Sequence, residues 1–447
     1  MGNAMGLRAS TFNHVLRMDG RAALFNAWSE AYLSAPPSIA QALDSGEIQQ
    51  LSPLWMGRLM RQGFLVPERL DEWQQALERL RARRAGAVMQ VIAVPTWRCN
   101  LSCDYCYETA AEVREEKRAK GWADTLSSLI EDDLLAQPQA SLCLAFFGGE
   151  PLLQATSCAQ VAERAQRAAA AKGIPCLCTL TTNGTILNRA VRRLLDRVDA
   201  AQITLDGTGE ANDRMRFGER GRPTYRRIMA FATETRRRKP RLIIRYHLRD
   251  ESPDTLRRSA EQLLGDLDGC LETTLYFAAV SCGSYRESFY GCSHAATNDS
   301  GLYEKLRRAR DAFLTAGWST DAVQLHEKGT SPLLPVGAGC GYLNRRSMLV
   351  EPDLSIGFCP VAVRNPAMNA GRLSPRGKLQ LHPGFSRLLE ADRFPPPCHD
   401  CRVFPLCEGG CPAKSVVNHE RVDAIYCERQ RLEAGIRRNL RQLCSTL

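Results

Sequence analysis

Three cysteines, Cys99, Cys103 and Cys106, stand at C-x3-C-x2-C in "RCNLSCDYCYE". Thiolates at this spacing suit a soft metal, and a structural zinc site would close with a fourth Cys or His. The neighbours Asp104, Tyr105, Tyr107 and Glu108 are not usual fourth ligands for such a site. Three thiolates on a 4Fe–4S cube instead leave one iron open, where a cofactor or substrate can chelate. An open corner is what a reaction centre needs.

A second group lies towards the C-terminus. Cys398, Cys401, Cys407 and Cys411 run as C-x2-C-x5-C-x3-C, with Cys427 beyond and Cys340 and Cys359 upstream. Paired cysteines also fit zinc ribbons, but seven is one short of two closed sites. The other eight of the 18 cysteines are scattered and read as small buried apolar residues.

Positioning these thiols needs a scaffold. From residue 88 to about 280, apolar runs alternate with amphipathic stretches: "VMQVIAVP" (88–95), "LCLAF" (142–146), "CLCTLT" (176–181), "AQITL" (201–205), "LIIRYHL" (242–248) and "TTLYFAA" (273–279). Repeated strand–helix units imply a parallel sheet, and six of them suit a partial (β/α)6 barrel. In such folds chemistry collects at the C-terminal strand ends, and the cysteine trio directly follows the first strand.

Upstream, "FNHVLRMDGRAALFNAWSEAYL" (12–33) reads as strand, Asp-Gly turn, strand and then helix. "LSPLWMGRLMRQGFLVPE" reads as a helix stopped by Gly63 and followed by a short strand, with an Arg-rich helix over 71–85. Residues 1–87 are therefore expected to form a winged-helix-like module, 88–320 the barrel, and 321–447 a Cys-, Pro- and Gly-rich domain folded around metal centres. The formal charge of +10 comes largely from arginine, in runs such as "RARR" (81–84) and "RRRKPR" (236–241). These runs are either solvated helix faces or a surface for an acidic partner, peptide or RNA. No run of about 18 apolar residues is present to span a membrane. The first twenty residues lack a signal-peptide core, which places the chain in the cytoplasm. In that reducing compartment, metal binding or catalysis accounts for the cysteines better than disulfides.

The trio resembles the cluster motif of the radical S-adenosylmethionine (SAM) enzymes, and three further segments carry the resemblance. "FFGGEP" (146–151) ends the second strand, "TTNGT" (181–185) the third, and "ITLDG" (203–207), followed by "NDRMR", the fourth. The resemblance implies that Cys99, Cys103 and Cys106 hold a SAM-binding 4Fe–4S cluster. It also implies that Gly148, Gly149, Glu150 and Asn183 lie against SAM, the two glycines letting backbone carbonyls reach its amino group. Thr204 and Asp206 would face the ribose, Arg216 would pair with the carboxylate, and Tyr105 would flank the adenine. Reductive cleavage of SAM would give methionine and a 5′-deoxyadenosyl radical, fed by a reductant such as flavodoxin or ferredoxin.

The C-terminal spacing resembles the SPASM extension of these enzymes, which holds two auxiliary 4Fe–4S clusters. By that resemblance Cys340, Cys359 and Cys411 serve the first, left open or completed by Cys282 or Cys292, and Cys398, Cys401, Cys407 and Cys427 the second. Two positions depart from the pattern. Leu354 stands where many members have glycine, and Pro360 follows Cys359 where sulfatase-maturing members carry a catalytic aspartate. The resemblance implies a maturase that modifies, by cross-linking, a ribosomally made precursor peptide gripped at its leader by the N-terminal module. The rivals are a formylglycine-generating oxidase, an RNA-modifying radical enzyme and a zinc-binding adaptor, with nucleic acid the weaker choice of partner.

Overall fold

Alternation of apolar and polar residues decides most of the architecture. A computed structural model describes all residues except 1–5, 19, 87, 104, 107–117, 137–139, 270–271, 280–299, 325–345, 361–367, 384, 386–393, 420 and 446–447. Two compact units result: residues 86–330 with 342–386, and residues 1–85 with 331–341 and 387–447.

The first of these is built on an eleven-stranded sheet. Its centre is six parallel strands in chain order: β6 (Val88–Ala93), β7 (Ser141–Phe146), β8 (Cys176–Thr182), β9 (Ala200–Leu205), β10 (Arg241–Leu248) and β11 (Thr273–Ala279). All six correspond to the strands expected from the sequence. The sheet is extended by β12 (Val323–Gln324) beside β11 and by β13 (Ser347–Val350) parallel to β6. Antiparallel β14 (Ser355–Gly357), β15 (Gly371–Leu373) and β16 (Leu379–Leu381) follow on the β13 side.

Strict alternation in β7 and β9 buries one face completely and leaves the other half-buried. The buried face receives the helices. In α5 (Ala155–Ala171), Cys158, Val161, Ala162, Ala165 and Ala169 form one stripe at helical spacing. Tyr246 and Phe277 pack edge-on against Phe313 of the helix Ser300–Thr315. The opposite face carries Thr181, Gln202, Thr204, Arg245 and Tyr276, joined in register as Thr181–Gln202 and Thr204–Arg245–Tyr276. The result is the partial-barrel fold: an apolar outer layer under helices and a polar inner wall.

In the other unit, β2 (Asn13–Met18), β3 (Arg21–Asn26) and β4 (Tyr32–Ala35) form an antiparallel sheet. Met18 pairs with Arg21 across a two-residue turn that ends on Gly20 at φ +77°, as the Asp-Gly pair foretells. The helix expected after β3 is instead strand β4. The Asn26 side chain accepts hydrogen bonds from the Trp28 and Ser29 amides (3.0 and 2.9 Å), and Glu30 takes φ +58°. That turn sends the chain back along β3, and strand pairing overrides local helix preference. Helices α1 (Pro37–Ser45) and α2 (Pro53–Arg61), the β1–β5 pair (Leu7–Ala9 with Leu65–Pro67) and α3 (Glu72–Ala85) complete the N-terminal part.

The run "AALF" in β3 is buried on both faces, as continuous apolar strands are. Ala22 and Leu24 pack with Ile39, Leu43, Leu59 and Phe64 of the N-terminal part. Ala23 and Phe25 share a second core with Leu77, Leu80, Val403, Phe404, Leu406, Leu432, Ile436 and Leu440. The N-terminal module and the C-terminal cysteine region therefore fold around one sheet.

Candidate active site

Five strand ends build the mouth of the barrel. The trio loop follows β6 and is held from three sides. Leu101 bridges Gly218, and the Ser102 amide donates to the Phe217 carbonyl (3.0 Å). Asn100 Nδ2 donates to Thr185 Oγ1 (2.8 Å), and Asn183 Nδ2 donates to Asn100 Oδ1 (2.8 Å) and to Cys99 Sγ (3.6 Å). The Cys106 amide turns back onto the Cys103 carbonyl (3.1 Å).

The loop after β7 lies directly beneath. Gly149 and Glu150 donate their amides to the Thr96 and Arg98 carbonyls (3.2 and 2.9 Å). A Cβ on Gly149 would fall 2.4 Å from the Trp97 carbonyl oxygen and 2.5 Å from that of Arg98, so only glycine allows this approach. Glu150 is fully buried, and its carboxylate accepts from the Leu152 amide (2.9 Å), Thr182 Oγ1 (2.6 Å) and the Asn183 amide (2.7 Å). Burial pushes its pKa up while these three donors oppose the shift. These three bonds brace the β7 and β8 loops against each other.

Beyond β9 lies a charged network. Asp206 accepts from Tyr105 Oη, faces His247 Nδ1 at 3.2 Å, and lies 3.5 and 3.4 Å from the guanidinium nitrogens of Arg216 and Arg249. Arg216 Nη1 also donates to Tyr105 Oη (2.6 Å), and Arg249 sits over the Tyr105 ring. Burial raises the Asp206 pKa, but the hydrogen bond from His247 and the cationic arginine outweigh it and hold the carboxyl well below the usual range. Burial also lowers His247 to about 4, against the pull of Asp206, so the imidazole is neutral at pH 7 and donates through Nδ1.

The structure thus joins Cys99 with Asn183, and Tyr105 with Asp206 and Arg216. Gly148 and Gly149 pack under the trio loop, and Thr204 stands on the inner wall two residues before Asp206. His247, Arg249, Asn100 and Thr185 belong to the site but were not singled out from the sequence. The signal for the first two was the polar end of "RYHLR", where the apolar alternation of β10 breaks off.

The residues fit a three-thiolate cluster with SAM beside it. Glycines admit close backbone approach beneath the loop, and Arg216 Nε is buried without a hydrogen-bond partner. Among the described residues no three His, Cys, Asp or Glu side chains converge on a single-ion position.

In the other unit, Cys398, Cys401 and Cys407 border the shared core. Burial pushes the thiols of Cys401 and Cys407 up, and Cys427 beside Cys401, and Cys401 beside Cys407, push in the same direction. Thiols kept neutral by burial in this way would need a bound cation to become thiolate ligands. Glu408, Gly409 and Gly410 have φ of +48°, +91° and +79°, curling the chain between Cys407 and Cys411. A Cβ on Gly410 would meet the Tyr426 carbonyl oxygen at 1.9 Å, so this curl lies flush against the Cys427 segment. Buried Lys414 and Glu428 pair at 2.8 Å beside it. Cys359 follows β14, and buried Leu354 takes φ +69°, so a leucine makes the bend that a glycine would make. Cys340, Cys282 and Cys292 lie outside the described residues.

Residues 89–222 match the family described as a 4Fe-4S single cluster domain. The chain is 33% identical over 134 residues to the serine-type anaerobic sulfatase-maturating enzyme of Klebsiella aerogenes, 28% of this chain and 31% of that enzyme. It is 31% identical over 123 residues to the Fe-coproporphyrin III synthase of Methanosarcina barkeri, 27% of this chain and 28% of that protein. It thus spans about a third of the length of these curated relatives. Among solved structures, anSMEcpe with bound AdoMet superposes with TM-score 0.53 at 18% identity over 80% of this chain and 98% of that one. Streptococcus suis SuiB bound to its precursor peptide SuiA superposes with TM-score 0.50 at 14% identity over 95% and 100%.

Fold and site together give a partial barrel with a cysteine trio at its mouth, and the segment that carries the trio matches a 4Fe-4S single cluster domain. The architecture around it is that of anSMEcpe and SuiB, and SuiB is matched over nearly the whole chain.

Proposed function

We propose that this chain is a radical SAM/SPASM maturase acting on a ribosomally made precursor peptide, with a cross-link as the modification. The observation that carries the reading is the convergence of the Cys99 loop with Tyr105, Asp206 and Arg216 at the C-terminal ends of β6 to β9. A 4Fe–4S cluster on Cys99, Cys103 and Cys106 supplies one-electron cleavage of bound SAM. The chain's own residues orient the cofactor: Arg216 presents a charged donor to a carboxylate, and Asn183 and the glycine pair fix the trio loop. The polar inner wall then receives the peptide.

Residues 1–87 serve leader recognition, 88–320 the radical chemistry and 321–447 the auxiliary clusters, of which Cys398, Cys401, Cys407 and Cys427 hold one. A flavodoxin or ferredoxin in the cytoplasm supplies electrons. Among the described residues no helix is long and apolar enough to cross a membrane. The sulfatase-maturating relative favours a second reading, formylglycine formation on a Ser or Cys side chain, against which Pro360 stands in place of the expected aspartate.

Anaerobic, cluster-loaded protein should release 5′-deoxyadenosine from SAM under dithionite. Co-expression with a short precursor peptide should give a two-hydrogen mass loss per cross-link. A one-residue aldehyde on a Ser- or Cys-containing peptide would favour the second reading, and no SAM cleavage would defeat both.

A further inference from the structure

We infer that Arg245 fixes a carboxylate of the substrate inside the barrel, which makes the substrate segment that enters the lumen acidic. The inference rests on the peptide-maturase reading and names the chemistry of its substrate.

Arg245 lies on the inner wall, in register with Thr204 on one side and Tyr276 on the other. Its Nε is buried without a hydrogen-bond partner, and among the described residues the guanidinium has no acidic partner. The six central strands contain no Asp or Glu to supply one. Two acids at the mouth are already engaged: Asp206 by Tyr105, His247, Arg216 and Arg249, and Glu150 by its three donors.

Holding a guanidinium partly out of water without a counter-ion is unfavourable, and a bound anion removes that cost. The planar fork matches the two oxygens of a carboxylate. A nucleic-acid track would instead need a row of cations open to phosphates, with aromatic faces for the bases, whereas Arg216 and Arg249 near the mouth are already paired with Asp206.

The test uses full-length, cluster-loaded protein with SAM and phenylglyoxal, which adds to accessible guanidinium groups, with labelling at Arg245 read by peptide mass mapping. The probes are acetyl-Gly-Gly-Glu-Gly-Gly-amide, its Gln counterpart and the ribotrinucleotide UpUpU. We expect the Glu peptide to slow labelling of Arg245 about tenfold and the Gln peptide to leave it unchanged. Equal protection by both peptides, no protection, an Arg245 that never labels, or protection by UpUpU alone would each overturn the assignment. Arg245→Met should abolish the preference for the Glu peptide in a binding assay and Arg245→Lys should keep part of it; a preference undiminished in Arg245→Met overturns it as well. Release of 5′-deoxyadenosine by the same wild-type preparation is measured in parallel. Its absence with Arg245 protected removes the radical reading and leaves the anion site, whereas its presence with Arg245 unprotected removes only the anion site.

Discussion

The barrel mouth and the C-terminal cysteine region place thiols in opposite surroundings. At the mouth, the loop that carries Cys99, Cys103 and Cys106 is pinned by amides, side-chain amides and a glycine pair, with a charged network alongside. In the other unit, Cys398, Cys401 and Cys407 border an apolar core shared with β3 and α3. A scaffold of regular strands can hold a reactive, open site in shape by itself. A short loop-rich region has fewer regular contacts to hold it in shape, and here it gains them by sharing a core with the N-terminal sheet.

The largest effect that sharpens this contrast comes from the ligands. Cys99→Ala should abolish 5′-deoxyadenosine release, because a cube left with two of its three thiolates is no longer held with a single open iron. Cys398→Ala should leave part of that release while stopping product formation. Iron content separates the regions too: three cubanes give about 12 irons per chain, whereas one cubane with zinc elsewhere gives about 4. Product formed at the normal rate by Cys398→Ala would erase the distinction between the two regions.

Arg216→Ala comes next. Loss of a charge-assisted hydrogen bond, at about 1.5–3 kcal/mol, should weaken SAM binding by roughly ten- to a hundredfold, as calorimetry can measure. Unchanged affinity would remove Arg216 from the cofactor site.

The two close-approach glycines separate the regions structurally. Gly149→Ala forces a methyl into the Trp97 and Arg98 carbonyls, and Gly410→Ala into that of Tyr426. Each should destabilise its own unit by about 1–3 kcal/mol. Hydrogen exchange should show loosening confined to residues 86–200 for the first and to residues 398–430 for the second. Loosening of the same amides in both variants would deny that the units are independent.

The smallest effect is on pH dependence. His14 in one unit and His247 in the other are both lowered to about 4, in each case chiefly by burial. Because the unfolded chain binds more protons below pH 6.5, the stability from each is full above that pH and is lost as pH falls towards 4. Between pH 7 and pH 5 the loss at His247 is about 2 kcal/mol, and less at His14, which keeps some solvent contact. His247→Gln should flatten the denaturant midpoint of the barrel unit over that range, and His14→Phe that of the other unit. A slope unaltered in both variants would assign acid sensitivity to other groups.

What the sequence revealed follows the same division. The six central strands and the loops after four of them were legible because period-two burial and strand-end motifs are local signals. Strand β4 was read as helix because "WSEAYL" has no strand signature of its own; the turn made by Asn26 and the pairing with β3 decide it. The shared core was hidden for another reason: Phe12 and Phe25 share it with Ile436 and Leu440, some four hundred residues away, and no local pattern signals that. His247 and Arg249 escaped notice because each is an ordinary residue at a strand end until Asp206 is placed beside it.

The claim at the centre, that three thiolates at the barrel mouth hold a cluster with one iron free for SAM, is tested most directly by electron paramagnetic resonance. The sample is anaerobic, dithionite-reduced protein, measured before and after SAM is added. The signal of one reduced cluster should change on addition, do so again in Cys398→Ala, and be missing in Cys99→Ala. Signals that ignore SAM in all three proteins would contradict it.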